Sequence, residues 1–320
     1  MAPESRATHT DMAAVLQATP QRYHAPTALT EVRSVWSAQA LRGAGAVWSA
    51  REGALYWVDT AGRQLHRFDP VHKLRDSWSF GEDIGAVAEC SRQAGLLLAL
   101  RRDLAIFDPE TGRLQRLHQA EPAHPGNRLG DGHCDAQGRF WFSTHNAGNP
   151  TPTGALYRYT GGSQCTRIHS GLASSQGPAW SQDQRTLFLA DAAQRRVLAY
   201  DMDANSGTLS PARTWLQLAR HEGSPQGLCT DADGRVWLAR TGTGFVSCHA
   251  PDTGEELLRI RVPASQVTGC TFGGRDLRTL FITSACQQAV DASLFNEPLA
   301  GALFAVEVDS PGLPAHLFVG

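Results

Sequence analysis

Asp131, Gln176 and Gln226 each stand directly before a glycine that opens a short apolar stretch, and Ala44, Ile84 and Thr268 hold the same place before three other glycines. A carboxylate can take and return a proton, and two side-chain amides can donate hydrogen bonds to an oxygen that gains negative charge. Those are the parts of acid–base chemistry on a small polar or carbonyl-bearing molecule. Only Asp131 among the six is charged, so proton transfer there rests on one side chain. Other nucleophilic chemistry has less to work with. Ser174 and Ser175 in LASSQG (172–177) lack the upstream glycine and the strand-to-helix turn of a hydrolase elbow. Lys73, the only lysine, falls in a loop, which disfavours Schiff-base chemistry. DMDANSGTLSPA (201–212) imitates a calcium loop, but its glycine is seventh and Ala212 replaces the closing glutamate, leaving a hairpin turn.

The elements that must position these residues repeat. Gly45, Gly85, Gly132, Gly177, Gly227 and Gly269 recur at roughly 40 to 50 residues, the period of propeller blades. After them come hairpins with alternating apolar residues and tight turns: VWSAREGALYWVD (47–59), CDAQGRFWFST (134–144), AWSQDQRTLFLAD (179–191), CTDADGRVWLAR (229–240) and CTFGGRDLRTLFITS (270–284), with GAVAECSRQAGLLLAL (85–100) a weaker copy. The pattern predicts an all-β chain folded as a six-bladed β-propeller. In such a ring each innermost strand starts at the central channel, so the residue before each repeat glycine is expected to face one shared mouth. The strand-like ends LTEVRSVW (29–36), LFAVEVD (303–309) and PAHLFVG (314–320) are expected to meet in one blade and close the ring. The eight tryptophans fall mostly at repeated strand positions and read as blade core.

Composition sets the boundaries. The repeat fills most of the 320 residues without a linker, giving residues 29–320 as the propeller and 1–28 as a loosely ordered extension. That extension lacks the basic start and continuous apolar core of a secretory signal, and no later run is long enough to span a membrane. A net charge of −2 with scattered basic residues argues against nucleic acid as a partner. Seven cysteines without paired spacing read as buried small hydrophobes rather than disulfides or a zinc site, which points to a reduced cytoplasm. The expected partner is a small-molecule substrate; oligomeric state stays open.

Five groups of motifs carry a family resemblance: GAGAVW with GALYWVD; NRLGDG with GRFWFST and GALYRY; QGPAWSQDQRTLFLAD; PQGLCTDADGRVWLA; and VTGCTFGGRDLRTLFITSA. From about Leu29 onward the chain resembles the gluconolactonase, regucalcin (senescence marker protein) and luciferin-regenerating-enzyme group of six-bladed propellers. The resemblance implies a divalent cation at the channel mouth that polarises a sugar-lactone carbonyl, with an acidic ligand helping to activate water. It also implies a glutamate, an asparagine and an aspartate as ligands, at positions where this chain has Ala44, Gln176 and Gln226. A hard cation needs an oxygen cage with carboxylate charge. No metal or other cofactor is therefore expected, beyond a weak divalent cation held by Asp131 and the two amides. For the sugar, the resemblance implies an arginine and, two residues on, an asparagine; here Arg128 stands with Gly130. After Thr144, where the family usually has methionine, this chain has His145.

Two roles are open to His145, a metal-independent general base or a surface histidine at a strand end. Glu82 with Asp83, and His221 with Glu222, precede the second and fifth blades, where they either overhang the mouth or remain solvated loop charges. The reading that results assigns Asp131 and His145 to catalysis and Arg128, Gln176, Gln226 and Glu82 to substrate. It gives hydrolysis of a sugar-like lactone with weak or no metal dependence. Two alternatives stand beside it: a metal-independent isomerase, lyase or cyclase on a small polar substrate, and a non-catalytic binder of sugar-like ligands.

Overall fold

A computed structural model describes residues 23–92, 94–146, 148, 152–287 and 297–320. Six antiparallel sheets follow one another along the chain. Blade one comprises Gly43–Ser49, Ala54–Asp59, Gln64–Asp69 and Leu74–Ser79, and blade two Ile84–Glu89, Leu96–Leu100, Asp103–Phe107 and Leu114–Gln119. Blade three runs Asn127–Cys134, Phe140–Asn146, Gly154–Tyr159 and Cys165–Leu172. Blade four is Ser175–Trp180, Thr186–Asp191, Arg196–Asp203 and Arg213–Gln217, and the 201–212 stretch forms the expected hairpin within it. Blade five is Ser224–Thr230, Val236–Thr241, Phe245–His249 and Glu256–Arg261. Blade six takes Val267–Gly273, Thr279–Ser284 and Leu303–Glu307 from the end of the chain and Arg33–Trp36 from its beginning. That last pairing, with Arg33 opposite Ala305, closes the ring.

Each inner strand is buried on both faces because neighbouring blades press against it, which explains its nearly unbroken apolar sequence. Six hydrophobic clusters fill the six interfaces between adjacent blades. Trp57, Trp141 and Trp237 are among the largest fully buried side chains, in keeping with a core role. Outer strands such as Leu74–Ser79 are mostly exposed.

The repeat glycines have a specific cause. In all six blades the register of the inner strand shifts at the mouth residue and its glycine, between Ala44 and Val47, Ile84 and Ala86, Leu129 and Gly132, Gln176 and Ala179, Pro225 and Leu228, and Val267 and Gly269. Such bulges bend the strand and re-aim a side chain. They also bring inner strands together near the axis, where a Cβ on Gly85 would lie 2.4 Å from the carbonyl oxygen of Gly130. No side chain fits there.

Two hairpin turns show how Asp-x-x-Gly-Arg-x-Trp locks a blade. Asp135 accepts hydrogen bonds from the backbone of Gln137 and Arg139, from Arg139 Nε at 2.6 Å and from Trp141 Nε1 at 2.7 Å. Asp231 does the same with Asp233, Arg235 and Trp237. Every buried polar group in this set is paired with an opposite charge or a donor.

The ends of the chain depart from expectation in two places. Residues 23–28, assigned above to the extension, are tied to the ring: Thr27 donates its N–H to Asp309 Oδ1 and accepts from Asp309 N, and Arg235 Nη1 donates to the carbonyl of His24. The remainder of the extension lies outside the described residues. The stretch 314–320 does not join the closing blade. It runs across the ring face opposite the mouth, where Gly312 bridges to Asp231 and Phe318 to Cys90, and Val319 N bonds to the carbonyl of Gly138. Phe318 fills the core between blades two and three, so burial rather than strand pairing decides its path. Leu313, Pro314, Ala315 and His316 line the cavity at that end. Among the described residues no helix is long and apolar enough to cross a membrane.

Candidate functional site

At the other end of the ring an open cleft of about 260 Å³ collects polar residues from the mouths of blades one to four and from blade six. Arg42, Ala44, Asp83, Arg128, Gly130, Asp131, His145, Gln176 and Gln287 all line it. A smaller recess beside it is lined by Gln226, Thr241, Gln266 and Thr268, and Arg42 and Gln287 belong to both.

Asp131 is 4% exposed. Its Oδ1 accepts the N–H of Gly132 and its Oδ2 the N–H of Gly177, each at 2.9 Å. The second bond ties blade three to blade four and fixes the carboxylate plane. Below it on the same strand His133 binds the carbonyl of Pro178 through Nδ1 at 2.9 Å, which makes Nδ1 the donor. Its Nε2 stands 3.8 Å from Asp131 Oδ1. Gln176 is 7% exposed, and its side-chain amide has no hydrogen-bond partner among the described residues.

His145 sits across the strand pair from Arg128. Burial, joined by the positive charges of Arg42 and Arg128 and opposed by Asp83, lowers its pKa to about 4. The imidazole is therefore neutral at neutral pH, and its Nδ1 is buried without a hydrogen-bond partner. A proton acceptor is available there without prior deprotonation.

Arg128 reaches the cleft as expected, but its guanidinium is paired with Asp83, which also meets Arg63 at 3.4 Å. Glu82 does not line the cleft. Successive residues of an extended segment point to opposite sides, so Asp83 faces the mouth while Glu82 turns outward to an ion pair with Arg116. Glu222 is likewise committed elsewhere, capping Ala219 N and pairing with the buried Arg240. Gln226 lies in the recess rather than beside Asp131.

Arg42, which lines the cleft, was not among the residues singled out from sequence, nor was His133, which supports Asp131 from beneath and lines the cavity at the far end. His133 carried a usable signal, since it stands two positions from Asp131 on one strand and such residues share a face. For Arg42 the signal is positional only. Asp59 holds the backbone N–H groups of Leu41 and Arg42 at 2.8 Å each, which sets the arginine at the mouth of blade one. Burial lowers its pKa, with Asp131 opposing the shift.

Among the described residues no three His, Cys, Asp or Glu side chains converge as a metal-binding group would.

Comparison with known proteins gives a consistent picture. Residues 42–286 match the SMP-30/Gluconolactonase/LRE-like region. The chain is 32% identical to a 6-deoxy-6-sulfogluconolactonase of Pseudomonas putida, over 86% of this chain and 94% of the relative. It is 30% identical to regucalcin of Xenopus laevis, over 82% and 90% respectively. A solved luciferin-regenerating enzyme superposes with a TM-score of 0.84 at 27% identity, covering 92% of this chain and 100% of that one.

Proposed function

The chain belongs to the SMP-30/gluconolactonase/LRE-like family, and from that premise we propose that it is a lactonase-type hydrolase opening small cyclic sugar-like esters without a divalent cation. The observation that carries this reading is the convergence of Asp131, His145 and Gln176 on one cleft at the channel mouth.

The donor set does not suit a hard divalent ion. Ala44 offers no oxygen, both carboxylate oxygens of Asp131 already accept backbone N–H groups, and Gln226 belongs to the neighbouring recess. Arg42 adds a positive charge to the same mouth. Like charges repel, and of the two carboxylates in the cleft Asp83 is already paired with Arg128, which leaves little free negative charge for a dehydrated dication.

Hydrolysis then falls to the side chains. Asp131 takes a proton from water as the water oxygen bonds to the lactone carbonyl carbon. The Gln176 amide donates to the carbonyl oxygen as it becomes negative. On collapse the bond between the carbonyl carbon and the ring oxygen breaks, and the ring oxygen receives the proton from Asp131. The product is the open hydroxy acid, and the carboxylate is restored. In this scheme His145 and Arg128 hold substrate oxygens. The test is turnover of a panel of sugar lactones with and without a chelator, on the wild type and on Asp131→Asn.

One observation favours a second reading. The neutral His145, with its unpartnered Nδ1, is a base for isomerisation or elimination that needs no water. Proton exchange from substrate carbon into solvent, followed by NMR, separates the two.

A further inference from the structure

Two cations line the cleft, and they differ in one respect. Arg128 is paired with Asp83, whereas the Arg42 guanidinium has no hydrogen bond or ion pair among the described residues. Burial works against its charge, and Asp131 compensates only from a distance. A desolvated cation without a close counter-charge is costly, and a ligand anion would relieve the cost.

The recess that Arg42 shares with Gln287 has matching chemistry. Its other polar lining is neutral: Gln226, Gln266, Thr241 and Thr268, with no acid among them. Gln226 is 7% exposed, and its amide is unpartnered among the described residues. One fixed positive charge ringed by amides and hydroxyls is a site for a small anion of planar, fork-like geometry.

We propose that this recess, built on Arg42 with Gln226 and Gln287, binds a carboxylate carried by the ligand, so that the ring lying against Asp131 bears an acidic substituent. The assignment of the ring rests on the lactonase reading above; the anion subsite does not.

The test is calorimetric binding of D-glucuronate and D-glucose, which differ in a carboxylate against a hydroxymethyl group on the same ring. The wild type is expected to prefer glucuronate by about tenfold or more, with the preference weakened by added salt. Arg42→Gln is expected to remove the preference by weakening glucuronate binding far more than glucose binding, and Arg42→Lys to keep part of it. Equal affinities for the two sugars, absence of glucuronate binding, or a preference that survives Arg42→Gln would overturn the proposal. Turnover is measured separately on gluconolactone and on a glucarolactone with a free carboxylate. Glucuronate preference without hydrolysis of any lactone sinks the lactonase reading and leaves the subsite standing. Hydrolysis indifferent to the carboxylate does the reverse. An equal fall in turnover of both lactones in Arg42→Gln would place the arginine at the carbonyl instead, and the subsite would fall.

Discussion

His145 stands against the bare backbone of Gly130: a Cβ added at Gly130 would lie 3.2 Å from His145 Nδ1 and 2.9 Å from Ser143 Oγ. Two departures from the family pattern, glycine for asparagine and histidine for methionine, thus meet in space. The imidazole occupies room next to the position where the asparagine would project.

This contact predicts coupling. Gly130→Asn alone should crowd His145 and cost about 1–3 kcal/mol of stability, whereas Gly130→Asn with His145→Met should cost less than the two single changes summed. Denaturant midpoints of the four proteins measure it. Strict additivity would contradict the contact.

Removing the charge of Asp131 should abolish most turnover. Asp131→Asn is expected to lower kcat by about a hundredfold or more, and Gln176→Ala by a comparable factor through loss of a donor to the carbonyl oxygen. Chelator should change neither the wild type nor the variants. Restoration of activity by added calcium or manganese after chelation would contradict the metal-free route.

Acid should destabilise the fold before it protonates the cleft. His66 is buried, its pKa falls to about 4 chiefly through that burial, and Asp59 only partly offsets the shift. The unfolded chain binds its proton near pH 6.5, the folded chain only near 4, so stability is full above 6.5 and drains away between those values. His66 alone accounts for about 3 kcal/mol of this loss, and His145 acts in the same direction. Urea midpoints between pH 7 and pH 4 should fall, and less steeply in His66→Phe. Activity should show no limb near pH 6.5 from His145; a limb there that vanishes in His145→Gln would contradict its neutral state.

The paired turns should matter for stability and not for the reaction. Asp135→Ala or Asp231→Ala strands a buried arginine and a tryptophan N–H, at about 3–5 kcal/mol each. Thermal melts should shift down while KM at low temperature stays unchanged.

The ring was legible because its signal is local and repeated: each glycine marks a bulge, at Gly85 and Gly132 one whose neighbouring backbone leaves no room for a side chain, and the Asp135 and Asp231 turns carry their own hydrogen-bonding residues. The mouth followed from the same register, which brings Ala44, Asp131 and Gln176 to one cleft. Glu82 was misplaced because one residue separates it from Asp83, and alternation sends the two opposite ways. Residues 314–320 alternate like a strand, yet the room left between blades two and three for Phe318 sets their course. Arg42 left no motif at all. Its importance lies in what fails to surround it, and a sequence does not record an empty neighbourhood.

The tail stretched across the far face has a consequence for the base of the ring. Leu313, Pro314, Ala315 and His316 form part of the wall of the cavity there, so that end takes its shape from residues that belong to no blade. Trimming them would remodel the floor of the molecule while leaving its rim as it stands.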